Sequence, residues 1–154
     1  MKAKPTIWLN AIVVFVILNL SVAACEKQDV SLHEPTEARL RERIISATVL
    51  FLGGRFEDFV KMRTVRLRNS LFESSDDKRK GFNEWKLFLE REKPSMELLD
   101  TTMNGLRAVA KMKGGVERKD GTRSESVMYD LWIFENGDWF LDTAGRTSPK
   151  DLAS

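Results

Sequence analysis

Apolar residues follow three different patterns along this chain, and each predicts a different kind of element. From Ile7 to Leu20 they are almost continuous, broken by Asn10 and Asn19. From Leu40 onward they recur every third or fourth residue. Leu40, Ile44, Ala47 and Phe51 share one helical face, with Arg39, Glu42 and Arg43 between them. Thr36, just after Pro35, is placed to cap this helix, and Gly53-Gly54 stops it. A short helix is expected over residues 55 to 62, with Phe56, Phe59 and Val60 as its apolar side. Thr64-Val65-Arg66-Leu67-Arg68 alternates and predicts a short edge strand, with helical continuation as the alternative. Ser74-Ser75-Asp76-Asp77 marks a loop and the start of another helix. That helix runs to Lys93, turns Phe82, Trp85, Phe88 and Leu89 inward, and is ended by Pro94.

From Ser95 the period becomes two. A first strand from Met96 to Met103 closes at Asn104-Gly105, and a second runs from Leu106 to Lys119 with a bulge or bend at Gly114-Gly115. Asp120-Gly121 and Asn136-Gly137 are hairpin signals that bound a third strand, and Trp139 to Thr143 forms a fourth. The tail from Ala144 is polar and reads as frayed. Two-residue turns at both sites place Lys111 opposite Asp130, Val109 opposite Trp132, Arg107 opposite Phe134, and Phe134 opposite Trp139. One sheet face then carries Val109, Met128, Trp132, Phe134, Trp139 and Leu141, with Lys111 and Asp130 able to pair. The other carries Ala108, Ala110, Met112, Tyr129, Leu131, Ile133, Phe140 and Asp142. Both faces are apolar. The helices must cover one, and a partner, a ligand or a chain end the other. The fold class is therefore α+β, with N-terminal helices packed on a curved antiparallel sheet.

The continuous apolar run follows Lys2 and Lys4 and ends in Val22-Ala23-Ala24-Cys25, the layout of a secretory signal. These four residues resemble the lipobox of bacterial lipoproteins. The resemblance implies cleavage between Ala24 and Cys25 and a diacylglycerol anchor on the Cys25 thiol. An uncleaved membrane span is the competing reading, since Ile7 to Ala24 is about 18 residues long and just reaches spanning length; Asn10 and Asn19 weaken it. The expected layout is a signal peptide over 1–24, a polar tether over 25–35, one domain over 36–145 and a polar tail over 146–154. Within the lipoprotein resemblance, Glu26 after the cysteine, rather than aspartate, implies the periplasmic face of the outer membrane.

Removing the leader takes away two lysines, so 25 basic residues become 23 against 23 acidic ones. A mature protein near neutrality outside the cytoplasm is a poor candidate for nucleic acid. With its one cysteine taken by lipid, a domain of roughly 115 residues must rely on a hydrophobic core rather than disulfides.

The order of helix, glycine-marked short helix, helix and antiparallel meander ends in Leu131-Trp132-Ile133-Phe134-Glu135-Asn136-Gly137-Asp138-Trp139-Phe140-Leu141. It resembles the nuclear transport factor two-like superfamily over Thr36 to Thr143. The resemblance implies a cone-shaped, cystatin-like domain in which a curved sheet wraps a long helix around a pocket. The superfamily includes isomerases, dehydratases and cyclases that use Asp, His or Tyr, as well as many exported proteins without known chemistry.

Acid/base work needs a titrating group within reach of a substrate and a second group to orient it. His33, the single histidine, falls in the tether. Tyr129 and Asp142 are the polar pair best placed for a pocket, with Met112 and Leu131 on the same expected face as ligand contacts; a core ring and a solvated strand-end carboxylate are the plainer readings of the pair. Lys61, Arg63, Arg66 and Arg68 form a basic run that suits either lipid headgroups or a solvated face. Trp85, Trp132 and Trp139 read as core. There are no paired Cys/His ligands for zinc and no phosphate-cradling loop, so neither metal nor cofactor is expected.

Three functions are consistent with this reading. The first is a non-catalytic binding module for a small apolar ligand or an envelope protein. The others are a periplasmic enzyme using Tyr129 and Asp142, and a structural module that dimerises. A pocket of roughly 300 Å³ or more would favour a ligand; a filled cone with exposed Trp and Phe would favour a protein partner.

Overall fold

In a computed structural model the described residues are 34–118 and 120–152, with the side chains of 151 and 152 excepted. The leader, Ala24, Cys25, Glu26 and His33 lie outside them. Helix α1, Glu37–Leu52, starts where expected. The Thr36 hydroxyl accepts from Arg39 N at 3.3 Å, and Gly53 N closes the last turn on Val49 O at 2.9 Å. Helix α2 spans Phe56–Lys61.

The next segment departs from the expected edge strand. Thr64 accepts from Leu67 N at 3.3 Å and starts a separate helix, α3, over Val65–Leu71. Extended backbone is confined to the residues around Arg63, which bridges in parallel to Leu141. A helix cap within the stretch outweighed its two-residue alternation. Helix α4, Ser75–Glu92, is capped by Ser74, and Lys93 takes a left-handed turn (φ 39°) before Pro94. Phe82, Trp85, Phe88 and Leu89 are half-buried along its inner side.

The four strands β1 (Ser95–Asn104), β2 (Arg107–Glu117), β3 (Arg123–Glu135) and β4 (Asp138–Arg146) form one antiparallel meander in chain order. The Asn136-Gly137 turn matches the expectation. Both residues have positive φ (52° and 80°), the requirement of the tight hairpin turn whose twist suits its strands, and Phe134 faces Trp139. The first hairpin turns one residue later than expected, at Gly105-Leu106, with Asn104 paired to Arg107.

The middle hairpin corrects the inferred register. Arg118 N donates to Thr122 O at 2.8 Å and Gly121 N to Arg118 O at 2.9 Å, so the loop holds three residues, with Gly121 at φ 80°. Asp120 Oδ1 accepts from both the amide and the hydroxyl of Thr122. Lys111 therefore faces Tyr129, Ala110 faces Asp130 and Ala108 faces Trp132. A one-residue slip carries every side chain of a strand to the other face. Ala108, Ala110 and Met112 thus join Trp132, Trp139 and Leu141 in the core, and the expected Lys111–Asp130 pair does not form.

The expected irregularity at Gly114-Gly115 sits instead on β1, between Leu98 and Asp100. The glycines serve a close approach. A Cβ on Gly114 would collide with the Met128 methyl, and one on Gly115 would come within 2.8 Å of Ser95 Oγ. The chain beyond Ala144 is also more ordered than its polarity suggested. β4 continues to Arg146, and a 3-10 turn follows over Pro149–Leu152.

Leu40, Ile44 and Ala47 of α1 pack on Ala108, Ala110, Met112, Trp132, Trp139 and Leu141, with Phe59 and Met62 closing the core. Both edge strands reach the start of α1. Thr101 of β1 donates to Glu37 at 2.8 Å, while Arg39 and Arg43 bind Asp138 of β4 at 3.2 and 3.3 Å. The small alanines of β2 leave room for the large indole of Trp132 beside them.

Neighbouring positions on α1 provide a direct check. Ile44 is 1% exposed and Ile45 56%. Ile44→Ala is expected to cost about 2–5 kcal/mol of unfolding free energy. Ile45→Ala is expected to stay within about 0.5 kcal/mol of wild type in denaturant titrations.

Candidate functional site

Between α1 and the sheet lies a cavity of about 210 Å³. Ile44, Ala47, Thr48 and Phe51 line it from α1, Phe59 from α2, Met96 from β1, Met128, Asp130 and Trp132 from β3, and Leu141, Ala144 and Gly145 from β4, together with Arg63. A second cavity of about 250 Å³ shares Phe51, Met96 and Met128 with the first and continues past Phe88 and Pro94 to Gly114 and Gly115. The shared residues partition two adjoining chambers.

The two charged residues of the lining are placed by backbone features. Leu141 N donates to Met62 O, and Thr64 N to Leu141 O, each at 2.9 Å, so the α2–α3 linker lies along the free edge of β4. This seats Arg63, 9% exposed, with its guanidinium 4.7 Å from the Phe59 ring centroid and 5.5 Å from that of Trp85. Beside this linker β4 carries extra residues relative to β3. Trp132 pairs with Leu141, Leu131 with Thr143 and Tyr129 with Arg146. Such bulges re-aim backbone groups near sites. Here Gly145, at φ 68°, points its N–H at Asp130 Oδ1, 2.7 Å away.

Burial dominates the electrostatics of both groups. It raises the pKa of Asp130, opposed by the Gly145 N–H and then by the Arg63 charge. It lowers the pKa of Arg63, opposed by the Asp130 charge. Two buried donors have no hydrogen-bond partner, Arg63 Nε and Trp132 Nε1, and both residues line the cavity. Trp139 Nε1, deep in the core, also has none.

The residues singled out from sequence lie elsewhere. Tyr129 is half-buried on the other face of β3, beside Lys111 and Arg146. Asp142 accepts from Thr64 Oγ1 at 2.8 Å and pairs with Arg66 at 2.7 Å, tying the start of α3 to β4. Met112 is buried in the core and Leu131 is buried in β3; none of the four lines the cavity. In the basic run, Lys61 pairs with Asp58 and Arg66 with Asp142, while Arg63 is buried. The residues that sequence reasoning missed are Arg63 and Asp130. Their signal was a single carboxylate inside the apolar run Val127 to Phe134 and a cation between Met62 and the capping Thr64.

No family model matches the chain, and no curated protein matches it. Solved structures do. A SEC-C motif containing protein from Rhodopseudomonas palustris is similar with a TM-score of 0.54 at 14% identity, over 77% of this chain and 82% of that one. TsrD from Streptomyces laurentii has a TM-score of 0.49 at 15% identity, over 70% and 87% of the two chains. A putative calcium/calmodulin dependent protein kinase II association domain from Xanthomonas campestris has a TM-score of 0.45 at 15% identity, over 75% and 91%. The first likeness shows a shared fold and nothing more; the other two are too slight to argue from.

Asp130 holds its proton more tightly in the folded protein than the ordinary aspartate value of 3.8 allows. Its contribution to stability is therefore most favourable below that value and is lost as pH rises toward its own, higher pKa. Asp130→Asn has no such dependence. The Tm of Asp130→Asn minus that of wild type is expected to grow as pH rises above about 4 and then level off. A difference that shrinks with pH would show that attraction to Arg63 outweighs burial.

Proposed function

We propose that this chain is a lipid-anchored bacterial envelope protein, held through Cys25 at the periplasmic face of the outer membrane. Its nuclear transport factor two-like domain binds a small, mainly apolar molecule without transforming it. The observation that carries this reading is the apolar cavity beneath α1 and its adjoining chamber. Each alone falls short of the roughly 300 Å³ usual for a ligand site, but together they exceed it. Two of the three residues between them are methionines, whose flexible, unbranched side chains can move aside. The reach of both sheet edges to α1 supports the cone-shaped form of the domain.

The exposed large apolar side chains among the described residues are Ile45, Val49, Val65, Leu87, Leu99, Leu106 and Val127, of which Ile45 and Val49 are neighbours one turn apart on α1, and none is Trp or Phe. That favours a ligand over a protein partner or a dimer. An acid/base enzyme of isomerase type is the second reading. It rests on Asp130, a carboxylate in an apolar cavity with a raised pKa, in place of Tyr129 and Asp142.

Two experiments test the proposal. In bacteria fed an alkyne analogue of palmitate, wild type is expected to carry the label and Cys25→Ser none; an unlabelled wild type would end the anchor. The full chain in phosphatidylcholine nanodiscs is expected to brighten the neutral probe 1-N-phenylnaphthylamine beyond empty discs. Ala144→Phe, at the exposed rim of the cavity, is expected to weaken that binding about tenfold. Equal signals from wild type, the rim variant and empty discs would remove the ligand site.

A further inference from the structure

A ligand for this cavity must satisfy what the protein leaves open. Arg63 is a buried cation of the lining whose neighbours are the Phe59 and Trp85 rings and the charge of Asp130, with no side-chain ion pair among the described residues to neutralise it. Arg63 and Asp130 are the charged residues of the lining, and Asp130 already accepts from Gly145 N. A planar guanidinium held over aromatic rings matches a planar carboxylate in charge and in the fork of its donors. A phosphate would bring a second negative charge for which the lining has no second cation. Beyond the head, the route into the second chamber passes Phe51, Met96 and Met128, where Gly114 leaves room for the Met128 methyl. The first chamber holds about seven groups of water or methylene size at roughly 30 Å³ each. A longer chain must thread between the methionines.

We propose that the ligand is a linear alkyl carboxylate, its head on Arg63 and its chain directed past Met96 and Met128 into the second chamber. The proposal rests on the ligand-binding reading above. Asp130, whose charge acts on Arg63 without a direct ion pair, competes with the incoming carboxylate.

The test is calorimetric titration of the full chain in phosphatidylcholine nanodiscs, with empty discs as blank, using octanoate and octan-1-ol. Wild type is expected to bind octanoate at least about tenfold more tightly than the alcohol, as a charge-assisted pair should. Arg63→Met is expected to bring that ratio to about one, Arg63→Lys to keep part of it, and Asp130→Asn to tighten octanoate severalfold by removing the competitor. Equal affinity of wild type for acid and alcohol, a comparison that needs no substitution, would overturn the proposal. So would a preference that survives in Arg63→Met, or octanoate binding lost in Asp130→Asn. If neither amphiphile binds but 1-N-phenylnaphthylamine still does, the carboxylate proposal falls and the ligand site stands; if the probe fails too, both fall.

Discussion

Leu141 holds this domain together at the point where its helices meet its sheet. Its N–H donates to Met62 O and its carbonyl accepts from Thr64 N, so three residues of helical linker complete the edge of β4. An edge strand left open is a template for unwanted pairing, and the linker covers it. A typical hydrogen bond contributes about 1 kcal/mol net, but leaving these buried groups unpaired would cost more. The same contact sets the start of α3, because Thr64 caps that helix while its hydroxyl donates to Asp142. Asp142 is thus joinery between layers rather than a group presented to a ligand.

That seam also explains how a guanidinium comes to be buried. Arg63 is carried inward by a backbone that has no freedom to turn it out, and its plane lies over Phe59 and Trp85. Those rings belong to a larger cluster with Phe51, Phe56, Phe72 and Phe82, whose centroids lie 5.1 to 6.1 Å from their neighbours. Cation–π attraction recovers part of the hydration that burial removes. Arg63 Nε is left without a hydrogen-bond partner. The bulges of β4 turn Gly145 onto Asp130, so irregularity in one strand accommodates a buried carboxylate in the next.

Local pattern alone determined a good part of this protein. The helix over 37–52, its glycine stop, the capped helix from Ser74 and the Asn136-Gly137 hairpin with its register were all legible in the sequence. So was the α+β class. Each depends on residues within one turn or one hairpin of each other. The cap at Thr64 was not read, because the stretch it opens alternates like a strand.

Tertiary structure alone decided the site. Asp120-Gly121 serves a two-residue or a three-residue loop equally well. The choice depended on Ala108 and Ala110 finding space beside Trp132. That one residue put Ala110 rather than Lys111 opposite Asp130, which lines a cavity. Arg63 likewise looked like one cation in a basic run until Leu141, far along the chain, fixed its backbone. Periodicity records which side of an element is apolar. Which polar residue is trapped inside depends on partners remote in sequence, whose packing no local pattern encodes.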